Sequence, residues 1–175
     1  FYWYVRVRGA QERTLRFIFT QQDPIGIRGP AVSLDEGLSW RWLSTPPADA
    51  RIFTYPFPPD ATSVRFAVGF AYTRLHWERF LGGLPTGTFR RDVLCTSRKG
   101  RLVERLFIGR SDGAARSRLL LTARHHCCEM MASYVLEGFI AAACGGGQEA
   151  EWFRENAEAA IIPFGDTDGV EDGDQ

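Results

Sequence analysis

The amino-acid sequence predicts an α+β protein of two domains, in which an antiparallel β-sandwich precedes an α/β region. Short stretches of alternating apolar and polar residues fill the first part of the chain, as in half-buried strands. A glycine-rich break at Leu81–Gly87 interrupts regular structure. A segment that is apolar on nearly all sides, as in a buried helix, occurs only after that break. We therefore expect the domains to span residues 1–82 and 83–175.

The first domain is predicted to consist of short strands. Apolar and polar residues alternate in them, and turn formers such as Gly9 and Asp35–Gly37 separate them. Because the first two strands follow one another closely, we expect them to pair as a hairpin. Regular short strands with such turns favour a sandwich. The predicted strands are Tyr4–Arg8, Leu15–Phe19, Ala31–Leu34, Trp40–Leu43, Arg51–Tyr55 and Ser63–Val68.

The second domain is predicted to combine strands with helices. A helix over Met130–Ala141 is expected to end at a glycine C-cap in Gly145–Gly147, and a polar helix follows at Gln148–Ala157. A strand that runs into helices and back into an apolar strand favours a largely parallel core. The predicted strands of this domain are Phe89–Cys95, Leu102–Ile108, Ser117–Ala123 and Ala159–Phe164.

The composition argues against two classes of partner. The chain has 21 Lys and Arg against 21 Asp and Glu, so it lacks the basic surface that nucleic-acid binding requires. The longest apolar run, Tyr134–Cys144, contains Glu137 and Gly138 and is shorter than the roughly 18 residues that span a bilayer. We therefore expect neither a nucleic acid nor a membrane as partner.

The cysteines and the first residues indicate a reducing compartment. The 4 cysteines include the adjacent pair Cys127 and Cys128 and show no disulfide framework spacing, which is typical of thiols in a cytoplasmic protein. The chain starts at Phe1 without a charged segment and a cleavage site, so no signal peptide is expected. The prediction is a cytoplasmic protein.

The candidate chemical site lies in Arg124–Glu129, where a predicted strand gives way to a predicted helix. That junction is a common site position in open α/β sheets. His126 and Glu129 are three residues apart, so an imidazole and a carboxylate can converge on one metal ion, and zinc suits that pair. The alternative is that the histidines have structural hydrogen bonds and that Glu129 favours the positive end of the helix dipole.

Other candidates are weaker. Cys127 and Cys128 lack the C-x-x-C spacing of structural zinc sites and redox pairs, so we expect them to pack as small apolar residues. The acidic run Asp166–Gln175 does not fit the register of a calcium-binding EF-hand and is expected to be a solvated loop. His76 lies among aromatic residues and is expected to be structural.

Two segments together resemble a known family. Thr122–Gly138 resembles the first metal-binding segment of zinc metallocarboxypeptidases, in their cytosolic-carboxypeptidase-like branch. In that branch Ala-Arg precedes His-Pro-Gly-Glu and a helix with Met, aromatic and Glu-Gly positions follows; Cys127–Cys128 stand here in place of Pro-Gly. Ile162–Val170 resembles the strand and Asn-Pro-Asp-Gly turn of the family, with Asp166–Thr167 in place of Asn-Pro.

The front of the chain is similar to the β-sandwich that precedes the catalytic domain in this branch. The similar stretches are Tyr2–Gly9, Ser33–Asp35 with Trp40, and Phe66–Arg79. The resemblance implies an N-terminal sandwich followed by the incomplete start of an α/β carboxypeptidase-like domain with a mixed sheet.

The resemblance also implies a function and its residues. The protein would be a zinc-dependent metallocarboxypeptidase that hydrolyses C-terminal bonds of peptide or protein tails through metal-activated water. His126 and Glu129 would be zinc ligands, and Arg124 would orient a ligand or meet an acidic substrate, unless it is an ordinary surface charge. The third zinc ligand, the carboxylate-binding Asn-Arg motif and the general-base Glu would lie beyond Gln175.

That placement has one consequence for the 175-residue chain, and one alternative function stays open. We expect the 175-residue chain alone to be inactive, because two ligands seldom retain catalytic zinc. The alternative function is a non-catalytic binding module, in which the sandwich recognises a partner and the carboxypeptidase-like domain is inactive.

Overall fold

The computed structural model describes residues 2–43 and 49–173, and the chain divides into two compact units, Phe1–Ala71 and Tyr72–Gln175. Each unit has its own sheets. The combination of antiparallel sheets, a mixed sheet and helices confirms the predicted fold class. The extents predicted for the domains, 1–82 and 83–175, stay a prediction; the first helix of the chain, which precedes residue 83, packs with the second unit.

The first unit contains two antiparallel sheets. One has the order β1-β6-β3-β4 and the other pairs β2 with β5. The strands are β1 (Tyr4–Arg8), β2 (Thr14–Ile18), β3 (Ala31–Ser33), β4 (Arg41–Trp42), β5 (Ile52–Pro56) and β6 (Ser63–Ala67). The predicted β1/β2 hairpin is wrong, because Val7 pairs with Val64 of β6 and Phe17 pairs with Phe53 of β5.

Aromatic side chains from both sheets form the core of the first unit. The ring of Phe17 stacks on Phe53 at 4.4 Å between centroids, and Phe53 lies 5.3 Å from Phe66 on the other sheet. Tyr55 and Phe57 meet the same ring of Phe66 edge-on. The inner faces of the sheets therefore pack on one another, as in a sandwich.

The second unit is built on one four-stranded sheet with helices. Its order is β7-β8-β10-β9. The elements are α1 (Arg74–Gly82), β7 (Phe89–Thr96), β8 (Leu102–Gly109), β9 (Ser117–Thr122), α2 (Met130–Cys144), α3 (Gln148–Asn156), β10 (Ala157–Ile162) and α4 (Thr167–Asp172).

The sheet of the second unit is mixed, as the family resemblance implied. β7/β8 and β8/β10 are antiparallel, and β9/β10 is parallel. The expectation of a largely parallel core is therefore wrong. Only the connection from β9 through α2 and α3 to β10 is long enough to return the chain for parallel pairing, whereas β7 and β8 are joined by a short turn.

Two local features differ from the sequence predictions. Helix α1 was not predicted; Thr73 and the His76 side chain form a capping box at its start. The acidic segment is helical rather than a loop, because the Asp166 carboxylate accepts a hydrogen bond from the Gly169 backbone and starts α4; residues 174–175 lie outside the described residues. Helix α2 ends at a glycine C-cap, as predicted: the cap is Gly145, in an extended conformation, and the positive φ of 102° belongs to Gly147, just before α3.

In residues 2–43 and 49–173, no single helix is long and apolar enough to cross a membrane. Helices α2 and α3 reach the length and apolar composition of a membrane span only when they are taken together, and the chain bends by 94° between them.

Candidate metal-binding site

The candidate site lies where β9 and β10 end. The two strands are parallel, with Thr122 paired to Ile162, so their carboxyl ends meet at one edge of the sheet. From that edge residues 123–129 lead into α2, and residues 163–166 lead into α4. Ligand sites of open α/β sheets form at this kind of edge.

Backbone hydrogen bonds hold the two segments together. Ala123 donates to the carbonyl of Ile162 at 3.1 Å, Gly165 donates to Ala123 at 2.9 Å, and Asp166 donates to Arg124 at 2.7 Å. A Cβ atom on Gly165 would lie 3.2 Å from Nδ1 of His125. The close packing of this turn therefore favours glycine at position 165.

His126 and Glu129 lie together at the surface of this edge. Nδ1 of His126 is 2.9 Å from Oε1 of Glu129, and the His126 backbone N–H donates to Oε2 at 3.1 Å. The side chains are 66% and 40% exposed. Hydrogen bonds from the His126 side chain and backbone hold the pKa of Glu129 below its usual value, so its carboxylate is ionised at neutral pH. Their role as metal ligands stays a prediction.

His125 faces a different neighbour. Its Nε2 lies 2.9 Å from Oγ1 of Thr122, at the end of β9, and its Nδ1 faces Gly165, where a Cβ atom would lie 3.2 Å from it. Adjacent histidines of the motif therefore have separate environments. His125 packs along the turn, whereas His126 meets a carboxylate.

Arg124 is buried rather than an ordinary surface charge, so that expectation is wrong. The residue is only 2% exposed. Its guanidinium donates to the carbonyl of Tyr72 at 2.9 Å, to the carbonyl of Cys127 at 2.6 Å and to Oγ of Ser133 at 3.2 Å. A substrate-binding role for Arg124 stays a prediction, and the buried side chain lends it no support.

The sequence reasoning missed Tyr72 and Ser133. Tyr72 is buried before α1, and its hydroxyl donates to Oε1 of Glu137 at 2.6 Å. Burial, together with the contact to Glu137, raises the pKa of Tyr72 well above its usual value. The only available signal was Thr73, whose type is typical of a helix N-cap. Nothing in the sequence links Tyr72 to a loop 52 residues away.

The remaining candidates add no further ligand. Cys127 is buried, as expected of a packing residue, and Cys128 is partly buried. Asp168 of the second motif accepts hydrogen bonds from Oγ of Ser97 and from Nη1 of Arg101. Within the described ranges, no three His, Cys, Asp or Glu side chains come together as a metal-binding group.

Comparison with known proteins gives relatives in sequence and in structure. No protein-family model matches the chain. Cytosolic carboxypeptidase 3 of Bos taurus is 27% identical over 127 residues, which are 67% of this chain and 13% of that protein. Cytosolic carboxypeptidase 3 of Mus musculus is 26% identical over 126 residues, 67% of this chain and 12% of that protein. The chain thus spans about an eighth of the length of these curated relatives.

Solved structures match nearly the whole chain. A metallo-carboxypeptidase from Burkholderia cenocepacia has a TM-score of 0.80 and 22% identity, covering 99% of this chain and 48% of that one. A metallo-carboxypeptidase from Pseudomonas aeruginosa, solved with (2-guanidinoethylmercapto)succinic acid, has a TM-score of 0.73 and 23% identity, covering 97% and 47%. The comparisons confirm the family resemblance drawn from the sequence.

Proposed function

We propose that this chain, a relative of the cytosolic branch of the metallocarboxypeptidases, is an incomplete part of a cytoplasmic zinc-dependent peptidase that removes C-terminal residues from peptide or protein tails. The observation that carries the proposal is the pair His126 and Glu129, whose donor atoms lie 2.9 Å apart at the edge where β9 and β10 end. Sequence similarity to two cytosolic carboxypeptidases supports the reaction class.

The pair fits zinc by donor type and separation. Zinc takes imidazole nitrogen and carboxylate oxygen at about 2.0–2.2 Å, so two donors of a tetrahedral ion are about 3.3–3.5 Å apart. The 2.9 Å between Nδ1 of His126 and Oε1 of Glu129 needs only a small opening. Both side chains are solvent-accessible, which leaves room for further ligands and a substrate.

The two residues would have distinct tasks in the reaction. When bound, zinc supplies a Lewis acid that lowers the pKa of a coordinated water and polarises a carbonyl. Glu129, ionised at neutral pH, would neutralise part of the positive charge of the ion. His126 would provide Nδ1 as the nitrogen ligand of the ion. Glu129 is committed to the metal, and we place the general base among residues outside this chain.

Metal content tests the proposal. We expect about one zinc per chain in the full-length protein by mass spectrometry, lost in both His126→Ala and Glu129→Ala. His125→Ala is the matched control, since it removes the neighbouring histidine that contacts Thr122 instead. A screen for release of C-terminal amino acids from peptides would follow. Zinc that stays in the His126 and Glu129 variants would refute this assignment.

The alternative function is a non-catalytic binding module with an inactive carboxypeptidase-like domain. Within the part of the chain that the structure describes, no third ligand side chain lies beside His126 and Glu129, as both functions allow when the third ligand is expected beyond Gln175. For the 175-residue chain alone we expect no turnover. Absence of zinc and of peptide cleavage in the full-length protein would favour the binding module.

A further inference from the structure

Arg124 connects three segments of the second unit through one buried guanidinium. Its Nη1 donates to the carbonyl of Tyr72, before α1, and to the hydroxyl of Ser133, in the first turns of α2. Its Nη2 donates to the carbonyl of Cys127, in the turn between β9 and α2. Burying a cation is costly unless its donors are satisfied, so these acceptors stabilise the buried guanidinium.

The backbone of Arg124 is constrained as well as its side chain. Its φ is +56°, a left-handed conformation that residues other than glycine rarely adopt. Its carbonyl accepts a hydrogen bond from Asp166, in the turn after β10, at 2.7 Å. Hydrogen bonds therefore fix both the backbone and the side chain of Arg124, and its guanidinium can hold the turn that follows it in place.

The Cys127 carbonyl, which accepts a hydrogen bond from Arg124, lies inside the turn that carries His126 and Glu129. The Glu129 backbone N–H donates to the carbonyl of His126 at 3.2 Å, which closes the turn, and Cys127 lies within it. Arg124 holds the Cys127 carbonyl from the buried side, while the side chains of His126 and Glu129 meet at the surface.

We propose that Arg124 is a positioning residue, which holds the 126–129 turn so that Nδ1 of His126 and a carboxylate oxygen of Glu129 are presented together to a metal ion. Its relevance to zinc rests on the proposed function, but the positioning itself can be tested without metal. The planar guanidinium donates in two directions at once, which a lysine ammonium on a flexible stem does not reproduce.

The first readout uses metal-free protein with ¹⁵N-labelled histidine. In the wild type we expect NMR signals of a His126 ring with one preferred tautomer, since Nδ1 faces the Glu129 carboxylate. In Arg124→Met the ring should show averaged signals of a solvated imidazole. Wild-type His126 signals in a folded Arg124→Met would overturn the proposal.

Arg154, which lies in α3, offers a matched control. Its Nη1 donates to the carbonyls of Ala143 and Gly145, so it also joins backbone carbonyls, but at the other end of α2. Arg154→Met should leave the His126 signals unchanged. An equal change in Arg154→Met would show that general loosening of α2 is responsible, and would overturn the proposal.

Zinc affinity gives the second readout, by competition with a chelator in the full-length protein. We expect Arg124→Met to weaken zinc binding at least tenfold and Arg154→Met to change it less than twofold. Wild-type affinity in Arg124→Met would overturn the positioning role in zinc binding. A wild type that binds no zinc would refute the proposed function, while the metal-free ring signals would still decide the role of Arg124.

Ser133→Ala keeps the test open if Arg124→Met does not fold. It removes one acceptor of the guanidinium and leaves the charge and the other two acceptors in place. We expect a smaller change of the same kind, with His126 signals shifted towards the averaged position and a loss of zinc affinity of about threefold. A folded Ser133→Ala with unchanged signals and unchanged affinity would overturn the proposal.

Discussion

A side chain at Gly109 would overlap the backbone of the neighbouring strand. It ends β8 with a φ of +89°, and a Cβ atom there would lie 2.1 Å from the carbonyl oxygen of Ala157, the first residue of β10. Such an overlap cannot be relieved by rotating a side chain, because the obstacle is backbone. The β8/β10 pairing should therefore depend on glycine at this position.

We expect Gly109→Ala to lower the free energy of unfolding by about 3 kcal/mol or more, because strain and overlap act together. Gly113→Ala is the matched control: its φ is +80°, but a Cβ there would have nothing within 4 Å. That variant should lose only about 1 kcal/mol, from backbone strain. Urea unfolding of the three proteins measures the difference, and equal losses would show that the overlap with Ala157 relaxes.

At the residue scale, sequence spacing identified the candidate pair His126 and Glu129 but not the buried Arg124 beside it. His126 and Glu129 are close in the chain, so a strand-to-helix junction was enough to bring them together. The burial of Arg124 depends on Tyr72, which is 52 residues away. Local patterns carry no information on such a contact, and a charged residue after a strand is usually exposed.

For the strands and helices too, local features were predicted from the sequence and long-range contacts were not. Strand and helix positions follow from local periodicity, and β1, β6 and β9 lie within a residue or two of the predictions. Pairing is a long-range property, so the proximity of β1 and β2 in sequence suggested a hairpin that does not form. The short helix α4 was missed because its acidic composition is typical of a solvated loop, whereas its start depends on the side chain of Asp166.

Helix α4 is attached to the turn between β7 and β8 through acidic side chains. Asp168 accepts hydrogen bonds from Oγ of Ser97 at 2.8 Å, from the backbone of Lys99 at 3.2 Å and from Nη1 of Arg101 at 2.9 Å. Arg101 also donates to both carboxylate oxygens of Asp172. Because α4 has only six residues, these contacts rather than helix propensity should hold it in place.

Asp168→Asn should therefore release α4 at neutral pH, measured as faster amide hydrogen exchange in residues 167–172. Desolvation would raise the pKa of Asp168, but hydrogen bonds from Ser97 and Arg101 outweigh it and hold the pKa below the usual value. The stabilisation is then complete above about pH 4, the unfolded pKa, and is lost as the pH falls through the lower folded pKa. The difference between wild type and variant should disappear in strong acid.

Glu171→Gln, an amide substitution at an exposed residue of the same helix, is the control and should leave exchange unchanged. Exchange equally fast in wild type and Asp168→Asn at neutral pH would mean that the contacts to the β7/β8 turn do not hold α4.

At the scale of the whole chain, one face of the second sheet has apolar residues in contact with solvent. Phe107 of β8, Ala160 of β10 and Leu120 of β9 are neighbours across the strands, and Leu120 is 67% exposed. The opposite face packs its side chains into the core, among them Leu106, Ile108 and Ile161. In the described part of the sheet β9 pairs only with β10, so its other edge is open. Exposed apolar rows and open strand edges promote association.

We therefore expect the 19.7 kDa chain to sediment partly as larger species. Leu120→Lys should shift it towards the monomer, because a charge on this face of the edge strand β9 opposes both stacking and edge pairing. Ile27→Lys is the matched control, with the same added charge at a residue that is 84% exposed in the first unit. Sedimentation velocity at several concentrations separates the two variants. A monodisperse wild-type monomer that melts cooperatively would show that this face is stable in water, and equal effects of both lysines would assign the association to net charge rather than to the exposed sheet.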